Sequence, residues 1–287
     1  MNHMEKWNLQ KGFTHAGHFH ADDVFATALL RILNPDITIE RGYEVPDGYD
    51  GIVYDIGRGY FDHHQEDKEV RENGVPYAAF GLLWREFGAG LIGEQEAARY
   101  DEKFIQPLDE ADNTGCDHPL ASVISEYNIG WDSDASEDEA FWRAVRTAEE
   151  ILNNHFDKVK GFQKAEKLVC AAMQEGDGKV LILPCFAPWK DCVVESSYQL
   201  VIYPSNRGGY CIQGVPISRG SRELVCKMPD NWCGKSAEEL ALCTGIEGFS
   251  FCHPTGFLAS VKTLEEAKKL AQMVIALHSE ESTENQG

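Results

Sequence analysis

Apolar residues recur at helical spacing over Val24, Phe25, Ala28, Leu29, Ile32 and Leu33, which predicts one buried helical face. Asn34-Pro35 closes that helix, because the residue before proline avoids the α region. Lys11–Thr14 and Ile37–Glu40 on either side read as strands, and Gly51–Ile56 as a third with Asp55 near its end. Strand, helix, strand, strand predicts a mainly parallel sheet, and ligands of such sheets gather beyond the C-terminal strand ends. Helices are expected from Pro76 to Phe87 with Gly88 as the stop, over Glu94–Glu110, and over Pro119–Tyr127. Ser136 and Glu139 have the form of a capping box in front of Phe141, Val145, Ala148, Leu152, Phe156, Val159 and Phe162. One long helix follows, or two broken at Gly161. Past Glu175–Gly178 the pattern changes to strands at Val180–Leu183, Tyr198–Tyr203 and Tyr210–Ile217. A short helix capped by Ser236, strands at Gly248–Cys252 and Phe257–Val261, and a final helix from Thr263 to about Leu277 complete the series. Ser279–Gly287 reads as a polar, frayed end. The fold class is α/β in two domains, residues 1–165 and a smaller α/β domain over residues 166–287.

The chain's 287 residues are enough for a large core. Its net charge of −21 argues against wrapping long duplex nucleic acid, which needs clustered Lys and Arg. It leaves room for a short strand gripped beside a bound cation. Among nine cysteines there is no Cys-x-x-Cys pair, and six residues separate Cys185 from Cys192 and Cys226 from Cys233, too many for a zinc knuckle. Met1–Phe13 lacks an apolar leader, and no run approaches the roughly eighteen apolar residues of a membrane span. The expectation is a cytoplasmic protein with reduced thiols and no membrane partner.

Chemistry concentrates in Thr14-His15-Ala16-Gly17-His18-Phe19-His20-Ala21-Asp22-Asp23, then in Asp55 and Asp62-His63-His64, then in Asp109 and Asp112. Taken singly, each has a plain structural reading. Asp22 and Asp23 fit a cap on a helix beginning at Val24, and Asp55 fits a buried hydrogen-bonding aspartate. Their coincidence at one edge of one sheet favours a common purpose. Mixed imidazole and carboxylate donors suit divalent transition ions such as Mn²⁺, Fe²⁺, Co²⁺ or Zn²⁺. The donors exceed what one tetrahedral zinc needs, which favours two ions sharing a carboxylate, as in phosphoester hydrolysis with metals roughly 3.5–4 Å apart. Neighbouring strand residues point to opposite faces, so His63 and His64 serve one site only if the backbone turns there. The same geometry weakens a Cys252-His253 protease reading, and there is no His-Glu-x-x-His motif.

These motifs resemble the DHH phosphoesterase superfamily, which includes RecJ-type exonucleases, oligoribonucleases and manganese pyrophosphatases. The closer likeness is to its melanocyte-proliferating-gene branch. Thr14–Asp22 meets that branch's Thr-His-x-Gly-x-Phe-His-x-Asp, Phe61–Gln65 its Tyr-Asp-His-His-Gln with Phe for Tyr, and Phe251–Phe257 its Phe-x-His-x-x-Gly-Phe. The resemblance implies a mainly parallel-sheet DHH-type catalytic domain followed by a substrate-gripping one. It implies two divalent ions, Mn²⁺ first with Mg²⁺ or Co²⁺ as alternatives: His15, His20 and Asp112 on one, Asp22 and His63 on the other, Asp55 bridging. His64 would contact the scissile phosphate or act as acid, and Asp62 would orient a neighbouring histidine. His253, Gly256, Arg219 and Arg222 would grip the phosphate or the strand end. The activity implied is hydrolysis of a phosphodiester, 3′-to-5′ trimming of short single-stranded RNA. A small phosphoester substrate and a non-catalytic metal-binding protein are the alternatives, and a homodimer is allowed. Departures are His20-Ala21-Asp22 where many relatives have Asp-x-Asp, Ala259-Ser260 where a glycine pair is common, and His18, which has no assigned role.

Overall fold

The computed structural model describes residues 6–284. It divides into two compact units, residues 1–160 and 161–287. The first unit opens with β1 (Lys11–His15), α1 (Ala21–Leu33), β2 (Thr38–Gly42) and β3 (Ile52–Val53). The strands form one parallel sheet in the order β2-β1-β3. This is the expected α/β arrangement, and its C-terminal edge carries His15 and Asp55.

Two helix starts differ from the pattern's prediction. α1 begins at Ala21, not Val24, with His20 as N-cap. Asp22 and Asp23 therefore lie inside the first turn, and both are buried. α2 runs Ala79–Ile92, not Pro76–Phe87. Gly88 does not stop it: the Trp84 indole folds over this glycine, where a Cβ would come within 2.5 Å of the ring. The stop is Gly93, with φ +86°.

Next come α3 (Glu94–Tyr100), a π-helical turn at Asp101–Ile105, and α4 (Gln106–Thr114), so the expected single stretch is wound more loosely at its middle. The turn is where a side-chain network enters. Arg71 holds Asp101 through Nε at 3.0 Å and Nη2 at 2.7 Å, and the same Nη2 donates to Asp109 of α4 at 2.7 Å. α5 (Pro119–Ser125) follows, and then α6 (Glu137–Glu175), unbroken at Gly161. α6 residues from Phe141 to Val159 belong to the core of the first unit, and Ala165 and Val169 to a core of the second.

The second unit contains β4 (Val180–Ile182), α7 (Lys190–Val193), β5 (Leu200–Pro204), β6 (Tyr210–Gly214), α8 (Ala237–Thr244), β7 (Phe249–Cys252), β8 (Leu258–Val261) and α9 (Leu264–Glu284). Its sheet runs β4-β5-β6-β8-β7, parallel only between β4 and β5. The capping box at Ser236 forms, with the Ser236 Oγ accepting from the Glu239 amide. α9 continues past Leu277 to Glu284, and the rest of the expected frayed end, residues 285–287, lies outside the described residues. No helix among the described residues is long and apolar enough to cross a membrane.

One contact ties the start of α2 to α4. The Gly81 amide donates to Asp109 Oδ1 at 3.2 Å, and a Cβ at position 81 would lie 1.9 Å from Asp109 Oδ2. Gly81→Ala is expected to cost about 1–3 kcal/mol, the usual range for overpacking. Urea denaturation measures it; an unchanged midpoint would contradict the packing described.

Candidate metal centre

Five chain segments meet beyond the C-terminal edge of the parallel sheet. β1 delivers His15 at its last residue. The His15 Nδ1 lies 3.1 Å from the Ala16 carbonyl, which leaves Nε2 to face Asp55 Oδ2 at 3.2 Å and Asp23 Oδ2 at 3.4 Å. Just past β3, Asp55 takes a left-handed backbone, φ +54°. Aspartate tolerates that region better than most residues, and non-glycine residues held there concentrate at functional sites. The chain then loops and returns to pair Phe61 with Tyr54 in parallel, the Asp55 amide donating to the Phe61 carbonyl at 3.0 Å. That return sets Asp62, His63 and His64 beside Asp55. The two histidines lie outside any strand, so their rings stack at 4.3 Å instead of diverging.

The first turn of α1 supplies two carboxylates with different duties. Asp23 completes a capping box, accepting from the His20 amide through Oδ1 at 2.8 Å, while Oδ2 turns to His15. Asp22 caps another helix: its oxygens accept from Ala79 at 3.0 Å and Phe80 at 2.7 Å, at the positive end of α2. Asp22 Oδ2 also lies 3.9 Å from His63 Nδ1. α4 separates the two late aspartates. Asp109 is fully buried and engaged by Arg71 and Gly81. Asp112 faces the site, with Oδ2 at 3.2 Å from His63 Nε2 and Oδ1 at 3.9 Å from His20 Nδ1.

Three groups of donor atoms are close enough to share an ion: His15–Asp23–Asp55, Asp22–His63–Asp112, and Asp55–His63–His64. Asp55 belongs to two of them, one oxygen toward His15 and the other toward His63 and His64. The resemblance groups Asp112 with His15 and His20; its Oδ1 lies towards His20 and its Oδ2 closer to His63. Asp112 sits with Asp22 and His63, and the carboxylate beside His15 is Asp23, which the sequence presented only as a helix cap. Nothing in the sequence marks Asp23, since a cap uses one oxygen and the fold alone decides where the other points. His20 stands at the rim, its side chain 59% exposed, with its ring 3.9 Å from Asp112. The Asp62 carboxylate accepts from the Arg58 amide at 2.6 Å and holds His64 Nδ1 at 2.7 Å, so the histidine it orients is His64.

The electrostatics are those of a site built for cations. Burial raises the Asp22 pKa well above the ordinary carboxylate value, and Asp55 and Asp112 raise it further. Burial raises Asp23 too, His15 offsets part of this, Asp55 adds to it, and the result is about 7. Burial disfavours charge on His15, but the Asp55 hydrogen bond and the charges of Asp23 and Asp55 lift it to about 9. Asp62 is the contrast: burial opposes its charge, but the bonds from His64 and the Arg58 amide hold it near 2. Asp23 Oδ2, Asp55 Oδ1 and His63 Nδ1 are buried and have no hydrogen-bond partner among the described residues. Unpaired buried acceptors of this kind cost free energy that a cation would offset, so the donor set fits divalent metal. An open cleft of about 1040 Å³ reaches the cluster, with Arg58, Lys68 and His118 among its lining.

The four residues expected to grip substrate belong to the second unit. His253 and Gly256 lie in the turn between β7 and β8, where Gly256 has φ +70° and packs against Lys227. The Thr255 amide donates to His253 Nδ1 at 3.1 Å, which leaves the ring proton on Nε2. Arg219 and Arg222 are exposed. Arg219 donates to the Asp191 carbonyl at 3.3 Å, and among the described residues neither arginine bonds to His253.

Fold and donor set define the class as an α/β protein with a histidine–carboxylate centre suited to divalent metal at the edge of a parallel sheet. The MYG1 exonuclease family model, described as uncharacterised protein family UPF0160, matches residues 12–275, and the chain belongs to that family. Human MYG1 exonuclease is 28% identical over 93% of this chain and 86% of its own length. The MYG1 protein of Saccharomyces cerevisiae is 27% identical over 92% of this chain and 95% of its own. RecJ of Thermus thermophilus, solved with Mg²⁺, aligns over 93% of this chain and 50% of that one at 15% identity, with a TM-score of 0.28, too low to carry any property across.

Metal must displace the protons held by Asp22, Asp23 and His15, so affinity should rise with pH through about 7. Calorimetric titration with Mn²⁺ is expected to show at least roughly tenfold tighter binding at pH 8 than at pH 6. Equal affinity at both would contradict the protonation states given.

Proposed function

We propose that this protein is an exonuclease that trims short single-stranded RNA from the 3′ end, using two divalent ions, Mn²⁺ first and Mg²⁺ or Co²⁺ as alternatives. The observation that carries the reading is the Asp55 carboxylate, whose two oxygens serve opposite halves of the cluster. One half has His15 and Asp23, and His20 stands at the rim facing Asp112. The other has Asp22, His63 and Asp112. When bound, such ions lower the pKa of water and neutralise charge on phosphoryl oxygens.

The chain's residues supply the rest. His64 is exposed enough to meet a substrate, and with Nδ1 directed to Asp62 its Nε2 is free to contact the scissile phosphate or to pass a proton to the departing oxygen. The Asp62 bond raises the His64 pKa, which favours the donor form. Gly256 and the Nε2–H of His253 are assigned to the substrate's end, with Arg219 and Arg222 as its cations. The MYG1 exonuclease name of mammalian relatives supports nuclease activity, and the single strand is preferred because a net charge of −21 suits a short ligand better than a long duplex.

A second reading, hydrolysis of a small phosphorylated metabolite, is favoured by the scarcity of basic side chains in the cleft, whose lining includes one arginine, Arg58, and one lysine, Lys68. Labelled short RNA, short DNA and a chromogenic phosphodiester, each with Mn²⁺, separate the two. RNA ladders shortening from the 3′ end are expected. His63→Ala should lower turnover by more than about a hundredfold, the upper end of what even outer partners of a metal ligand cost. Turnover of the small phosphoester alone would select the metabolite reading.

A further inference from the structure

The histidine loop has little backbone pairing of its own. Between β1 and α1, the Ala16 amide donates to the Gly42 carbonyl, and the helical bond from Val24 to the His20 carbonyl is long, at 3.4 Å. Phe19, between His18 and His20, is buried, yet among the described residues neither its N–H nor its C=O bonds to another backbone group. One side chain satisfies both. Asn128 Oδ1 accepts from the Phe19 amide at 3.1 Å, and Asn128 Nδ2 donates to the Phe19 carbonyl at 2.9 Å. The amide thus acts as the missing peptide of a neighbouring strand, 109 residues away in sequence.

Asn128 is itself held. Its own N–H donates to the Ser125 carbonyl at 3.0 Å, closing α5, and Nδ2 lies 3.2 Å from the same oxygen. α5 is also a wall of the cleft, through Ala121, Ser122 and Ser125. A second arm grips the loop's other end. Arg41 donates to the carbonyls of His15 at 3.2 Å and Gly17 at 2.9 Å, pairs with Asp138 at 2.7 Å, and stacks 4.0 Å from the Phe141 ring. Phe141 in turn meets the Phe19 ring edge-on at 5.5 Å.

We infer that Asn128 is a positioning residue of the metal centre: its two bonds to Phe19 fix the backbone on which His20 stands and so set the reach of His20 toward Asp112. The inference rests on His20 being a metal ligand. His20 is exposed and lacks the packing that immobilises His63, so its direction depends on its backbone. Replacing outer partners of metal ligands typically lowers metal affinity 10–100-fold.

Mn²⁺ is titrated by calorimetry into chelator-stripped wild type, Asn128→Ala, Asn128→Gln and His20→Ala, with electron paramagnetic resonance of bound Mn²⁺ and circular dichroism alongside. Asn128→Gln keeps the amide but displaces it by one methylene, and it guards against a misfolded alanine variant. The expected result is that both Asn128 variants weaken one Mn²⁺ equivalent by about 10–100-fold at native circular dichroism, the same equivalent that His20→Ala weakens. Unchanged Mn²⁺ affinity in the Asn128 variants, with His20→Ala impaired, overturns the positioning role and leaves the ligand reading intact. Full affinity in His20→Ala overturns the ligand reading, and the inference with it.

Discussion

Burying several carboxylates side by side is the constraint on which the first unit depends. Asp22, Asp23, Asp55 and Asp109 are all nearly inaccessible to water. Unaided, such a cluster would hold protons or come apart, because removing a carboxylate from water costs several kcal/mol or more. The structure answers each one differently. Asp22 takes the amides that open α2, Asp109 takes Arg71 and the Gly81 amide, Asp23 takes the His20 amide, and Asp55 has His15 and His63 on either side.

These answers differ in how far the protein itself completes them. Asp109 is paired by protein alone. Asp22 is satisfied by backbone yet still presents an oxygen to His63. Asp23 and Asp55 each keep one buried oxygen without a hydrogen-bond partner among the described residues. Negative charge left uncompensated at the end of such a series is where a cation lowers the free energy most. The same logic separates Asp62, whose carboxylate is fully committed to Arg58 and His64 and stays ionised at low pH.

Rigidity comes from outside the donor set. Arg71 joins the π-helical turn to α4, Arg41 and Asn128 hold the histidine loop, and the Tyr54–Phe61 pairing fixes the return of the chain after β3. Arg41, Arg71 and Asn128 lie outside the motifs, and the partners named for them are far away along the chain. Interactions of this kind hold functional groups in place because packing locks their rotamers before any ligand arrives.

The sequence by itself determined the α/β class and the parallel character of the first sheet, and it presented most of the imidazoles and carboxylates that gather at the sheet edge, since hydrophobic period and motif spacing are local properties. It misplaced the ends of α2, because Gly88 looks like a stop until the Trp84 indole is seen lying on it. By spacing alone Asp109 and Asp112 look alike, and only the resemblance chose Asp112; three residues of helix turn one to Arg71 and the other to His63. The sequence showed Asp23 only as a cap, and Asn128 not at all. Which oxygen of a carboxylate points inward, and which distant amide fills a gap in the backbone pairing, are decided when the segments pack together. Only the tertiary structure could place them.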